Sequence, residues 1–155
     1  MNIASGVPKI SLDEKDMQIV KLLADDARTS LKDMSVEIGL SSPSVAERIR
    51  RLVRVGIIRG FTVDLNPEAL GYALEAIVRI RPMPGKVQAV QQLIVGTPQI
   101  TECDKVTGDD CFVATLYVRS MDEIDTILEK ISEKAATSTS LVKRKIIERR
   151  APPLD

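Results

Sequence analysis

The chain has 155 residues, 44% of them apolar but only 3% aromatic, and its 22 Lys and Arg balance 22 Asp and Glu. That length holds one domain or two small ones, built on aliphatic cores. With no His and two Cys, His-containing zinc sites, four-thiolate sites and Ser-His or Cys-His catalysis are excluded, and a neutral chain can offer nucleic acid only a local basic patch.

The opening MNIASGVPK lacks the apolar stretch of a signal peptide, and no apolar run approaches the roughly 20 residues that span a bilayer. The expectation is a cytoplasmic protein with reduced Cys and no membrane contact.

Residues 1–10 read as a flexible arm. Ser11-Leu12-Asp13-Glu14 fits a capping box, in which the Ser hydroxyl takes an orphan N–H and the Glu reaches back. It opens a helix to about Asp26 with an apolar stripe of Leu12, Ile19, Leu22 and Leu23. Thr29 or Ser30 caps a second helix, whose buried face is Leu31, Met34 and Ile38. Gly39-Leu40-Ser41 is a turn, with Ser41 as the next N-cap and Pro43 in the first helical turn, where its missing N–H costs nothing. Val45, Ile49 and Leu52 face inward, and Gly56 ends the third helix as a left-handed cap. A Gly-containing turn followed by a helix with one buried and one basic face is the pattern of a helix-turn-helix. Ile57 to Leu65 (IIRGFTVDL) predicts a two-stranded wing turning at Arg59-Gly60.

The second half changes rhythm. Ala73–Arg81 reads as a strand, Lys86–Val95 as a helix, Ile100–Val106 as a strand, and Thr107-Gly108-Asp109-Asp110 as a tight turn. Cys111–Arg119 alternates as a strand with Phe112, Ala114, Leu116 and Val118 on one face. Ser120–Glu123 is a second capping box, opening a helix to about Lys134, and a last strand is expected at Leu141–Ile147. The order β-α-β-β-α-β is that of a ferredoxin-like domain, a four-stranded antiparallel sheet with both helices on one face. The fold class is therefore α+β: a winged helix-turn-helix over 1–65, a linker over 66–72, a ferredoxin-like domain over 73–150 and a tail at 151–155. Apolar residues on the uncovered sheet face, such as Val113 and Val142, predict that a second copy covers it.

Four segments carry a family resemblance: LDEKDMQIVKLLADDAR, GLSSPSVAERIRRLVRVGII, LNPEALGY and PQITECDKVTGDDCFVATLYV. From Leu12 to about Arg149 the chain resembles the Lrp/AsnC, or feast/famine, family of bacterial and archaeal transcription regulators, with the Thr-Gly-Asp turn the most specific element. The resemblance implies double-stranded DNA as a partner, self-assembly into dimers and rings of dimers such as an octamer, and an amino-acid effector held against that turn. With no His, no paired catalytic groups and no phosphate loop, no enzymatic activity, no metal and no cofactor beyond that effector are expected.

Placed at about 100° per residue, Ser42, Ser44 and Glu47 near the start of the third helix are positioned to reach base edges, with Arg51 one turn further on. Arg50, Arg54 and Arg59 suit phosphates, which set position but not sequence. Arg48 lies at the flank and is retained by the resemblance. Glu47 has two readings: an acceptor for cytosine N4, or an exposed i,i+4 pair with Arg51 worth a few tenths of a kcal/mol. For the Arg cluster the alternative to DNA contact is a solvated charged face. With nine acids against ten bases between Met1 and Leu65, one such unit should bind weakly, and oligomers supply the missing affinity through effective concentration.

At the turn, a positive φ at Gly108 would expose successive N–H groups suited to a ligand carboxylate, and Asp109 or Asp110 would accept from an amine. The alternative is an ordinary hairpin turn. Many family members read TGDYDY where this chain reads TGDDCF, so Cys111 replaces a frequent second acid. Thr107 and, by the resemblance, Thr137, Ser138 and Thr139 of another subunit complete the expected effector site; the alternative for the last three is a polar loop before a strand. Cys103 is expected opposite Ala114 rather than Cys111, without an intrachain disulfide. Two competing functions stand beside the regulator: an effector-independent architectural DNA binder, and a small metabolite-binding regulatory protein or enzyme.

Overall fold

The structure, a computed structural model, describes residues 10–148 and 150–154. All but Ile10 of the expected arm, together with Arg149 and Asp155, lies outside the described residues. The chain divides into two compact units, one running up to Val63 and including residues from Ile147 onward, the other Asp64–Ile146.

The first unit is a three-helix cluster. Helix α1 is Glu14–Asp25, α2 is Leu31–Ile38 and α3 is Ser42–Arg54. The cap of α1 is Asp13, not the expected Ser11: the Asp13 carboxylate accepts from the Asp16 N–H at 2.8 Å, and Asp16 accepts from the Asp13 N–H at 3.1 Å. Two carboxylates three residues apart close the reciprocal box and also sit favourably on the positive end of the helix dipole. Ser30 caps α2, accepting from the Asp33 N–H. Gly39 ends α2 at φ +73°, a left-handed conformation that costs an L side chain about 1–2 kcal/mol. The Lys15 ammonium donates to the Ile38 carbonyl at 2.5 Å, placing a cation on the negative end of α2. Ser41 caps α3 and Pro43 lies in its first turn, as expected. Ile19, Met34, Ile38, Val45 and Leu52 form the core, with Leu12, Leu22, Leu23 and Ile49 packed against it. Leu31, expected inside, is exposed at the first position of α2.

The expected wing does not form. Residues 57–65 contain no strand. The composition is β-like, but Phe61, Val63 and Leu65 are 56%, 75% and 61% exposed. An alternating apolar strand with no surface among the described residues to bury against has nothing there to offset its ordering entropy.

The second unit follows a short 3-10 turn, Glu68–Leu70. Its elements are β1 Leu74–Pro82, α4 Val87–Val95, β2 Ile100–Lys105, β3 Phe112–Val118, α5 Met121–Ser132 and β4 Ala135–Leu141. The sheet order is β2-β3-β1-β4, and all three pairings are antiparallel. This is the β-α-β-β-α-β arrangement expected. Ala76, Val78 and Ile80 of β1 and Phe112, Ala114, Leu116 and Val118 of β3 face Val90, Ile94, Ile124, Ile127 and Ile131 of the two helices. Ser120 caps α5, and Glu123 reaches back to the Arg119 N–H at 2.8 Å.

The last strand lies at 135–141, not at 141–147. Only Ala135 of β4 is buried, so the strand carries almost no apolar signal. It is an edge strand held by its backbone ladder to β1, in which Thr137 faces Ile80, Ser138 faces Arg79 and Thr139 faces Val78. The three hydroxyl residues expected in a loop are therefore in the sheet.

Candidate nucleic-acid interface and effector turn

Helix α3 separates its side chains sharply. Val45 and Leu52 are fully buried, while Ser44, Glu47, Arg50 and Arg54 are exposed on α3 and Arg59 is exposed beyond it. Ser42 is half-buried, and its hydroxyl lies 3.3 Å from the Ser35 hydroxyl of α2. The Ser44 hydroxyl lies 2.8 Å from that of Ser41, within the cap. Glu47 pairs with Arg50, not with Arg51: one carboxylate oxygen accepts from Nε at 3.1 Å and Nη2 at 2.8 Å.

Arg48 and Arg51 behave differently from the other cations. Their side chains are 29% and 35% exposed and both reach α1. Arg48 Nη1 donates to Asp13 at 2.6 Å and to Asp16 at 2.8 Å. Arg51 Nη2 donates to the second Asp16 oxygen. Asp16 itself is fully buried. The contacts to Asp13, then Asp16, hold the Arg48 guanidinium above its usual range. The Asp16 N–H first, and Arg48 next, hold the Asp13 carboxyl below its usual range. A buried carboxylate matched by two guanidiniums is a satisfied arrangement, and removing one partner would leave an uncompensated charge. Asp13 and Asp16 had no expected role at this site. The legible signal was a pair of acids three apart at the start of α1 facing a pair of arginines three apart on α3.

In the second unit, Gly108 sits at φ +104°, and the Val106 N–H donates to the Cys111 carbonyl at 2.9 Å. The turn is pinned from β1. Arg81 Nε donates to the Asp109 carbonyl at 2.9 Å. The Asp110 carboxylate lies 3.5 Å from Arg81 and 3.8 Å from Arg79. These two arginines, absent from the expected site, were marked only by their alternation around Ile80. Ser138 shares the open face of the sheet with Arg79, its register partner, whereas Thr137 and Thr139 pair with Ile80 and Val78 on the helix-covered face. Within one chain, then, the turn gathers Asp109, Asp110, Arg79 and Arg81, and the three hydroxyl residues divide between two faces.

A capped helix-turn-helix in one unit and an antiparallel sheet backed by two helices in the other define a two-domain DNA-binding regulator. Residues 12–53 match the AsnC-type helix-turn-helix domain and residues 75–152 the Lrp/AsnC ligand binding domain. The chain belongs to the Lrp/AsnC family of transcription regulators. The HTH-type transcriptional regulator FL11 of Pyrococcus abyssi is 36% identical over 79% of this chain and 82% of its own. The structure of Bacillus subtilis LrpC is similar with a TM-score of 0.83 at 28% identity, covering 90% of this chain and all of that one. A feast or famine regulatory protein of Mycobacterium tuberculosis, complexed with L-methionine, gives 0.84 at 28% identity over 92% of this chain and 99% of that one. No helix among the described residues is long and apolar enough to cross a membrane.

Proposed function

We propose that the protein is a cytoplasmic, non-catalytic, homo-oligomeric regulator that reads operator DNA with the exposed face of α3 and responds to an amino acid at the 107–111 turn. The observation that carries the DNA reading is the split of α3: Val45 and Leu52 are sealed in the core, which leaves Ser44, the Glu47–Arg50 pair and Arg54 facing outward. Ser44 and Glu47 then meet base edges, with Ser42 at the margin, while Arg50, Arg54 and Arg59 bind phosphate. Arg48 and Arg51 act through their partners on α1. Affinity should fall steeply with salt, because phosphate contacts release counterions. A mobility shift on the fragment upstream of the protein's own gene, repeated at rising salt, tests this. No shift at any salt would overturn it.

The effector reading rests on the positive φ of Gly108, a conformation suited to presenting successive backbone N–H groups to an anion, flanked by Thr107, Asp109, Asp110 and Cys111. Of Thr137, Ser138 and Thr139, which would join from a neighbouring subunit, Ser138 is the one on the open sheet face with Arg79. A thermal-shift screen of the common amino acids should give a hit that Asp109→Ala or Asp110→Ala abolishes. A different observation favours a second reading, DNA binding without an effector: Arg79 and Arg81 already face the Asp110 carboxylate that an amine would use. A complete screen without a hit selects that reading. The dimer, and a ring of dimers such as an octamer, is supported by the uncovered sheet face bearing Ile77, Val113 and Tyr117.

A further inference from the structure

We propose that Asp16 is a positioning residue that clamps Arg48 and Arg51 away from phosphate, lowering affinity for DNA of any sequence and so sharpening discrimination for the operator. This rests on the reading that α3 faces DNA.

Asp16 is the buried charged residue among the described core, fully removed from solvent. Each of its oxygens takes one guanidinium: Oδ1 accepts from Arg48 at 2.8 Å, and Oδ2 accepts from Arg51. The same Oδ2 accepts from the Asp13 N–H at 3.1 Å, so the group that clamps α3 also closes the cap of α1. Asp13 adds a second carboxylate to Arg48 at 2.6 Å. Two acids thus face two arginines, and the local charge cancels. What α3 offers phosphate is reduced to Arg50, itself held by Glu47 at 2.8 Å, and Arg54, with Arg59 beyond the helix.

The consequence is energetic as well as geometric. Each phosphate neutralised makes log K against log salt steeper by about 0.9, and this contribution is blind to sequence. Five arginines all reaching phosphate would raise binding to every duplex. Holding two of them on a buried carboxylate removes that sequence-independent share, because pulling an arginine off Asp16 would leave a buried charge uncompensated. The clamp also sets the rotation of α3 against α1, since both guanidiniums leave the same face of α3.

The test uses the full chain and two duplexes, the fragment upstream of its own gene and a scrambled one of equal length, titrated across salt. Arg51→Gln is the first variant. The clamp predicts an unchanged salt slope on the scrambled duplex, because no phosphate contact is lost; a slope shallower by about one would overturn it. Asp16→Asn is the second, keeping an oxygen for the Asp13 N–H. The expected result is a steeper slope, by about one for each arginine released, with tighter scrambled-duplex binding and a smaller ratio between the two duplexes. A parallel loss of affinity for both duplexes at unchanged slope would mean that Asp16 is merely structural and would overturn the proposal. Asp16→Asn combined with Arg51→Gln should bring the slope back towards wild type. Arg54→Gln checks the underlying reading: its slope should become shallower by about one, and no change there overturns both the placement of α3 and the clamp. A change in both Arg54→Gln and Arg51→Gln overturns the clamp alone.

Discussion

Cys103 lies directly across the β2–β3 ladder from Ala114, while Cys111 stands just before β3 with its carbonyl accepting from the Val106 N–H. The two cysteines therefore occupy different rungs. Partial desolvation first, and the adjacent Asp104 carboxylate next, push the Cys103 thiol up, which lowers the thiolate fraction that drives exchange. Mild oxidation should leave the monomer without an internal disulfide. An intact mass showing loss of hydrogen within one chain, or a shifted monomer band on a non-reducing gel, would contradict this.

The sheet has one covered and one open face, and they should respond to mutation in different ways. Leu116 is fully buried and pairs with Ala76 and Ile100; Leu116→Ala should cost about 2–5 kcal/mol, read as a lower denaturation midpoint. Ile77, on the open face between Thr115 and Ser140, is partly exposed. Ile77→Lys should leave the secondary structure intact and shift the protein to smaller species in sedimentation velocity, if a second copy covers that face. Unchanged sedimentation would place the subunit contact elsewhere.

Gly108 provides a test of backbone geometry alone. A Cβ there meets nothing within 4 Å, yet φ is +104°. Gly108→Ala should therefore cost about 1–2 kcal/mol through conformation and not through crowding. Gly60 is the control, since a Cβ there also meets nothing within 4 Å and its φ is not positive; Gly60→Ala should stabilise slightly, by about 0.4–1 kcal/mol, by restricting the unfolded chain. Differential scanning calorimetry separates the two, and equal effects would remove the argument from the turn.

How much of this was legible follows burial. β3 was readable because Phe112, Ala114, Leu116 and Val118 are buried and alternate with less buried neighbours, and α3 because Val45 and Leu52 recur on one side. β4 lies earlier than expected because its hydrogen bonds, not its side chains, hold it: in AATSTSL only Ala135 is buried. The wing is absent for the converse reason, since Phe61, Val63 and Leu65 have strand composition but no surface among the described residues to cover them. At the site, the identities of Glu47 and the arginines were evident while their partners were not. Pairing Glu47 with Arg50 in place of Arg51, and Arg48 and Arg51 with Asp16, depends on how α1 packs on α3. Spacing within one helix does not contain that information.

The acid limb of stability should show the cap of α1. The folded Asp13 carboxyl lies below its usual range, so its contribution is fully present above the ordinary carboxylate range and is lost as pH falls through the lower folded value. Glu123 is depressed in the same direction, by the Arg119 N–H first and the Gln99 side chain next, and gives the second unit the same sign. Urea midpoints for wild type and Asp13→Asn should differ at about pH 7 and converge only at a pH below the ordinary Asp value of about 3.9. A constant gap at every pH would assign the effect to packing and not to the charge.

Glu47 and Arg50 share one carboxylate oxygen on the exposed face of α3, and both side chains are more than half exposed. A solvated pair of this kind contributes about 0–1 kcal/mol to folding, so Arg50→Ala should barely change the melting temperature. Its effect on DNA should be larger, because it removes a cation and also leaves an unpaired carboxylate facing the phosphates. Glu47→Ala should act in the opposite direction, raising affinity for scrambled duplex by releasing Arg50, and it should lower discrimination at one base pair if the carboxylate accepts from cytosine N4. The double variant Glu47→Ala, Arg50→Ala should then bind more tightly than Arg50→Ala alone, since the uncompensated negative charge is gone. Fluorescence anisotropy on the operator and the scrambled duplex measures all three; additive effects would mean that the pair does not persist on DNA.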